Sequence, residues 1–311
     1  MQPETEIIRR FPWRDLAAKD AFESWCEAKI RACERLSNLS PVRLDSLNSG
    51  QASALSELKR RCAITNFARY EVAARAPTPE QDCAALTRFA HNLGLSSAEE
   101  HRSAGDLGVV ALRTSSAPSK RGYIPYTARP LNWHTDGYYN PAEAPVQAFV
   151  LHCHRQAESG GENQLADPEL VYLRMRAANP DFVAALMHPR AMTIPENREP
   201  DGTLRPASVG PVFFADSASG RLQMRYTART RSIEWRSDPA TERATAWLRD
   251  WLASGDPMIH SFRLAPGQGV LSNNVLHNRT GFDDGAGPDH ARVMLRIRFH
   301  HRLSEEHDGT A

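Results

Sequence analysis

His134 and Asp136 stand two residues apart in the segment LNWHTDGYYN. In an extended chain, residues i and i+2 face the same side, so an imidazole and a carboxylate there point at one centre. Such a pair is two thirds of the donor set with which non-haem Fe(II) oxygenases hold their metal on one face, leaving positions open opposite. A lone His-x-Asp is common, and an exposed turn before Gly137 reads equally well. A third donor must come from elsewhere in the fold. The run APGQGVLSNNVLHNRTGF offers His277, which ends an apolar stretch after a glycine-rich turn and is therefore expected on a core strand. The competing reading is a core histidine bonded to a main-chain carbonyl. His152 and His154 also sit two apart, but the sequence puts no carboxylate beside them, and they read as packing or edge residues.

The segment ARVMLRIRFH alternates strictly. Val293, Leu295, Ile297 and Phe299 take one face of a strand, and Arg292, Met294, Arg296 and Arg298 take the other. An edge strand with a solvated basic face has this pattern. So does a strand beside His277 that turns its arginines inward. A buried guanidinium needs an anion, and a planar carboxylate is its natural bidentate partner. A dicarboxylate that chelated a metal at one end would need such an arginine, Arg292, at the other.

These residues require a scaffold, and the rest of the chain describes one. The 311 residues are 41% hydrophobic, enough for a sizeable core, and barrels or sandwiches of this length often form one domain. Lys and Arg number 38 against 37 Asp and Glu. A net charge of +1 lacks the basic excess of a protein that neutralises phosphates, which sets nucleic acid and anionic membranes aside as partners. The five cysteines are odd in number and form no C-x-x-C, as expected of reduced thiols in a cytoplasmic protein. The N-terminal stretch MQPETEIIRRFPW has no apolar h-region, so no secretion signal is expected, and no apolar run approaches the roughly 20 residues that span a bilayer.

The first hundred residues read as mostly helical. Ala18, Phe22, Trp25, Cys26, Ile30 and Cys33 recur at helical spacing, and Leu55, Leu58 and Cys62 mark a second helix. AITNFARY reads as a strand, and Glu80 to Leu93 as a third helix that stops near Gly94. From about Leu107 strands dominate: GVVALRTS, VQAFVLHC, GPVFFAD, RLQMRYT, VLSNNVLH and RVMLRIRFHH. One helix starts at Asp167-Pro168 and stops at Asn179-Pro180, and another starts at Asp238-Pro239. Many short strands imply a β-sandwich or jelly roll buttressed by helices. The stretch from about Ile194 to Val209, with several Pro, Gly and Arg, reads as a long loop, a lid or a plain surface insertion.

Four segments, NWHTDGYY, ESGGENQLAD, PGQGVLSNNVLHNRTGF and RVMLR, resemble in order and rough spacing the taurine dioxygenase, or TauD/TfdA-like, family of Fe(II)- and 2-oxoglutarate-dependent dioxygenases. The resemblance runs from about Tyr123 to Arg302. It implies an α+β chain with a double-stranded β-helix (jelly-roll) core and flanking helices. A single dioxygenase domain would cover residues 1–311, mostly helical over 1–105, with the β-helix over 106–303. It implies His134, Asp136 and His277 as ligands of Fe(II), with 2-oxoglutarate and O2 as co-substrates. It implies Arg292 as partner of the distal carboxylate of 2-oxoglutarate, and Asn163 in the place where many members carry a threonine beside that carboxylate. Arg296 falls where some members hold an anionic group of the primary substrate. The loop Gly281 to Asp289 lengthens the interval from His277 to Arg292 and leaves open which of the two arginines meets 2-oxoglutarate.

The implied reaction is hydroxylation of a small anionic or zwitterionic molecule with release of succinate and CO2, desaturation or another outcome remaining open. Arg225, in RLQMRYTAR, is a further candidate for the substrate side. Tyr126, Trp133, Tyr138 and Tyr139 cluster near the metal motif, where aromatic rings either cage a quaternary ammonium or serve as ordinary core. Two other classes compete: a zinc hydrolase using the same three donors, and a non-catalytic small-molecule binding protein on the same fold. A homo-oligomer is left open.

Overall fold

A computed structural model of the chain describes residue 7 and residues 12–37, 39–96, 98–99, 108–115, 117, 123–198, 202–229, 231, 233–287 and 290–303. Most of the N-terminal stretch read for a secretion signal lies outside the described residues. The N-terminal elements are α1 (Lys19–Ser37), β1 (Val42–Leu44), α2 (Ala52–Thr65), β2 (Phe67–Val72) and α3 (Pro79–Asn92). The AITNFARY strand starts later than its composition implies. Ala63 to Thr65 finish α2, Asn66 turns the chain at φ 60 with its amide on the Cys62 carbonyl, and β2 begins at Phe67. Asparagine enters this left-handed region more cheaply than most residues, which is why it can close a helix.

Next come β3 (Val110–Leu112), β4 (Leu131–His134), β5 (Ala148–Arg155), β6 (Ser159–Gly160) and β7 (Asn163–Ala166). Two helices follow, α4 (Pro168–Ala178) and α5 (Pro180–Leu186). Asn179-Pro180 therefore does more than stop α4. Proline cannot continue the first helix, but as first residue of the second, behind an Asn179 side chain that accepts from the Asp181 amide, it starts α5. Short strands β8 (Met192–Ile194), β9 (Asn197–Arg198), β10 (Leu204–Arg205) and β11 (Ser208–Gly210) occupy the expected long loop, of which residues 199–201 lie outside the described set. The hairpin β12 (Phe213–Ala215) and β13 (Leu222–Met224) precedes β14 (Glu234–Trp235) and α6 (Pro239–Ser254), capped by Asp238. The chain then runs through β15 (His260–Phe262), β16 (Gln268–Ser272), β17 (Leu276–Arg279), β18 (Phe282–Asp283) and β19 (Val293–Phe299).

Two sheets form the core. One has the order β1-β2-β16-β5-β19-β3, the other β15-β7-β17-β4. Their inner faces meet through Phe149, Val270, Leu165 and Val275, which is the double-stranded β-helix arrangement. The stretch VLSNNVLH, expected as one strand, is two strands in different sheets. The corner between them holds Asn274 at φ 52. The last strand, β19, is central rather than an edge, with β5 on one side and β3 on the other, and all seven of its residues are buried. Val293, Leu295, Ile297 and Phe299 pack outward with Leu86 and Phe89 of α3. The arginines of the opposite face consequently point between the sheets.

Two polar networks tie the N-terminal elements to this core. Lys29 of α1 is fully buried, 2.6 Å from Asp167 and 2.5 Å from Glu169, and also donates to the Ile64 carbonyl. Arg221 reaches Glu169 at 2.6 Å. On the outer face of the large sheet, the Tyr70 hydroxyl lies 3.2 Å from His152 Nδ1, and Asp82 of α3 lies 2.6 Å from His154 Nδ1 and 3.7 Å from His152 Nε2. His152 and His154 thus do have a carboxylate. It arrives from a helix that sequence neighbourhood does not reveal. The five cysteines are free, with Cys33, Cys62 and Cys153 buried. Among the described residues no helix is long and apolar enough to cross a membrane.

Candidate active site

His134, the last residue of β4, pairs directly with His277 on β17, and their ring centroids are 4.2 Å apart. Each ring has Nδ1 2.8 Å from a main-chain carbonyl two residues back, Asn132 for His134 and Val275 for His277. A carbonyl only accepts, so Nδ1 carries the hydrogen and Nε2 keeps its lone pair. Burial holds both rings neutral, and for His134, with His277 adding to the effect, pushes the pKa down to about 3. Asp136 brings the third donor: one ligand atom from each of His134, Asp136 and His277 lies within 4.8 Å of the others.

His134 and Asp136 share this cluster as the i, i+2 spacing predicts, but Asp136 is not in the strand. The ladder of β4 ends at His134, and Asp136 begins a turn that continues through Gly137 at φ 64. Its side chain is set from elsewhere. Arg296 Nη1 donates to Asp136 Oδ1 at 2.8 Å, and Arg298 Nη1 stands 4.0 Å from the same oxygen. Burial alone would raise the carboxyl pKa; the two guanidinium charges outweigh it and hold Asp136 well below the usual carboxylate range. The other oxygen, Oδ2, is buried with no hydrogen-bond partner among the described residues. A buried carboxylate oxygen without a donor is costly. A divalent cation held by Oδ2 and two Nε2 atoms would satisfy it, and this nitrogen and oxygen set suits iron, manganese or cobalt.

A cavity opens from this cluster. His277, Asn163, Arg279, Arg292 and Arg296 line it with an apolar wall that includes Phe149, Leu151, Leu165, Phe262 and Val270. The cross-strand pairs His277 with Leu165 and Arg279 with Asn163 put four of these side chains on the inner face of the small sheet. Arg292 is buried, and its guanidinium forms no ion pair among the described residues. It stacks on the Phe282 ring at 5.0 Å, and Arg279 stacks on the same ring at 4.5 Å while bonding the carbonyls of Thr127 and Arg129. Burial lowers the Arg292 pKa to about 10. Asn163 is also buried.

The structure therefore gathers His277, Asn163, Arg292 and Arg296 around one space, with His134 and Asp136 clustered beside His277. The first partner of Arg296 is Asp136, and its Nε is buried with no hydrogen-bond partner among the described residues. Arg225 sits apart from the cavity lining, and its guanidinium donates to the carbonyls of Tyr138, Ser208 and Met192. Tyr138 is half-buried and meets Tyr139 edge to face at 5.2 Å. Tyr126 is buried with Met294 and Cys153. Arg298, unassigned from sequence, ion-pairs with Glu99 and bonds the Tyr139 hydroxyl at 3.2 Å. Its signal was the same alternation that selected Arg296. Asn274 was also missed, and its only signal is the polar pair Asn273-Asn274 inside an apolar run.

The family model described as taurine catabolism dioxygenase TauD, TfdA family, matches residues 38–298. A uridine-5'-phosphate dioxygenase from Amycolatopsis sp is 30% identical over 173 residues, which are 54% of this chain and 60% of that protein. The match thus spans less than two thirds of the relative's length. Among solved structures, an asparagine oxygenase in complex with Fe(II), 2S,3S-3-hydroxyasparagine and succinate aligns with TM-score 0.58 at 16% identity, over 96% of this chain and 92% of that one. AAD-2 in complex with Mn(II) and N-oxalylglycine aligns with TM-score 0.58 at 14% identity, over 82% and 91%. The family match covers most of the chain and includes both metal-motif segments: this protein belongs to the TauD/TfdA family.

Proposed function

We propose that this chain is an Fe(II)- and 2-oxoglutarate-dependent dioxygenase that oxidises a small molecule bearing an anionic group. One observation carries the reading: among the described residues Asp136 Oδ2 has no hydrogen-bond partner and lies in one cluster with two neutral imidazoles, and the cavity that opens beside His277 holds a buried arginine, Arg292, with no ion pair among those residues. His134, Asp136 and His277 would hold the iron. When bound, the metal supplies the redox chemistry that couples O2 reduction to decarboxylation of the keto acid, giving succinate and CO2, and to oxidation of the substrate.

The protein's own part follows from its side chains. The two Nδ1 hydrogens are spent on main-chain carbonyls, which fixes both rings with Nε2 forward. Arg292 takes the distal carboxylate of 2-oxoglutarate, and Asn163 donates to it from β7 of the small sheet. Arg292 is assigned this role over Arg296 because Arg296 is already engaged by Asp136. Phe149, Leu151, Phe262 and Val270 exclude water from the co-substrate, which strengthens the charge pairing inside. On the substrate side, the unbonded Arg296 Nε and the Tyr138 and Tyr139 rings favour an anionic or zwitterionic molecule. The likeness to a uridine-5'-phosphate dioxygenase adds nucleoside monophosphates to the candidates.

Fe(II) and 2-oxoglutarate added without oxygen should give the weak visible charge-transfer band of a chelated keto acid. Aerobic succinate release is then screened across nucleoside 5'-monophosphates, amino acids, sulfonates, betaines and aryloxy acids. Absence of the band removes the cofactor assignment. Stimulation by neutral molecules alone removes the anionic substrate class.

A further inference from the structure

The position of Asp136 poses a problem that the iron reading leaves unsolved. Its two companions sit on paired strands, whose ladder fixes their backbones. Asp136 lies beyond that ladder, in a turn with a positive-φ glycine next to it. A loop ligand held only by its own side chain would be poorly placed, and metal sites depend on the groups that orient their ligands.

We infer that Asn274 is a positioning residue that fixes the main chain of Asp136 for metal binding. Asn274 Oδ1 accepts from the Asp136 amide at 2.8 Å, and its Nδ2 donates to the Asp136 carbonyl at 2.9 Å and to the Val146 carbonyl at 2.6 Å. The side-chain amide thus bonds both main-chain groups of one residue, as the backbone of an adjacent strand would. It supplies Asp136 with the one ladder rung that β4 lacks. Its placement explains the corner between β16 and β17. At φ 52 the chain leaves one sheet for the other, and asparagine both tolerates that conformation and carries the amide. Asn274 is 2% exposed, so water does not compete for these bonds. Three residues later the same segment delivers His277 to the cluster. Asn274 therefore locks the turn carrying one donor to the strand carrying another.

The inference rests on the three-donor metal site proposed above, and the test separates the two. Mn(II) affinity is read from the electron paramagnetic resonance signal of the free ion in wild type, His134→Ala, Asn274→Gly, Asn274→Asp and Asn66→Gly. Glycine adopts the positive φ without strain, so Asn274→Gly removes the clamp and keeps the corner. Asn66 is the matched control: it too is an asparagine at positive φ, 2% exposed, with its side chain bonded to Asp167 and Arg302 away from the cluster. Asn274→Gly should bind Mn(II) about 10- to 100-fold more weakly, the range for losing a group that orients a metal ligand. Asn274→Asp is isosteric and still accepts from the Asp136 amide, and should fall between. Asn66→Gly should bind as wild type does, although losing its bonds to Asp167 and Arg302 should lower its melting temperature. If both Asn274 variants bind like wild type, or if Asn66→Gly loses as much, the positioning role is overturned. If wild type and His134→Ala bind alike, the metal site itself falls.

Discussion

Arg296 donates to the Asp136 carboxylate across 2.8 Å, which joins the last strand to the turn that carries the third donor. Before metal arrives, this pairing and Arg298 are what compensate a buried negative charge. Arg296→Ala should therefore cost about 3–5 kcal/mol of stability in metal-free protein, the usual loss on breaking a buried ion pair. A divalent cation at Oδ2 would restore part of the compensation. Melting curves in chelator and in Mn(II) should show the deficit of the variant shrinking with metal. An equal deficit in both would contradict the electrostatic account.

His134→Ala and His277→Ala should each abolish succinate release while the melting temperature of the metal-free protein stays close to that of wild type. Both rings bond only main-chain carbonyls through Nδ1, so their loss strands no charge. Activity retained in both variants would remove the donor assignment.

Arg292→Ala should act mainly on the demand for 2-oxoglutarate. Removing one partner of a buried, charge-assisted pair costs on the order of 2–5 kcal/mol, or roughly thirtyfold to several thousandfold in affinity. Arg292→Lys keeps the charge but not the fork, and should recover part of the loss. Titrating 2-oxoglutarate against the anaerobic visible band measures this directly. An unchanged titration in Arg292→Ala, with a weakened one in Arg296→Ala, would exchange the two roles.

Lys29→Met should lower stability by about 3–5 kcal/mol, because Asp167 and Glu169 then remain buried without their shared cation. Wild type should also be acid-sensitive through Glu169. Burial would raise its pKa, but Arg221 and Lys29 outweigh this and bring it from 4.5 to about 2. A carboxylate with a depressed folded pKa contributes stability that is present above pH 4.5 and is lost as pH falls toward 2. Chemical denaturation across that window should show the slope in wild type, and Glu169→Gln should flatten it.

The arginine face was legible because it rests on period-two alternation, which short spacings in one segment display, whereas Asp136 joins His134 from a turn and His277 was marked only by the apolar run that it ends. In Val293 to Phe299 apolar residues alternate with Met294, Arg296 and Arg298, and this alternation marks the inward face. What the sequence hid was pairing across distance. Lys29 sits in an ordinary-looking helix, and its carboxylates are more than a hundred residues away. Asp82 reaches His154 from another element. VLSNNVLH read as continuous because apolar residues flank the corner at Asn274, and a change of sheet leaves no mark on apolar periodicity. Asn179-Pro180 shows a different limit: the same dipeptide is a stop for one helix and a start for the next.

The partnership of β2 with β16 bears on any attempt to dissect this chain. Five consecutive residue pairs, from Gln268 opposite Glu71 to Ser272 opposite Phe67, cover one side of β16, while β5 covers the other. The change of texture near residue 105 invites a cut there. A fragment starting at that point would leave β16 as a raw margin, its amides and carbonyls bare just ahead of the corner that leads to His277. Such margins recruit other chains edge to edge. The expected product of truncation is thus an insoluble aggregate rather than a minimal catalyst, and the mostly helical first third is better regarded as the seam that closes the sheet than as a removable accessory.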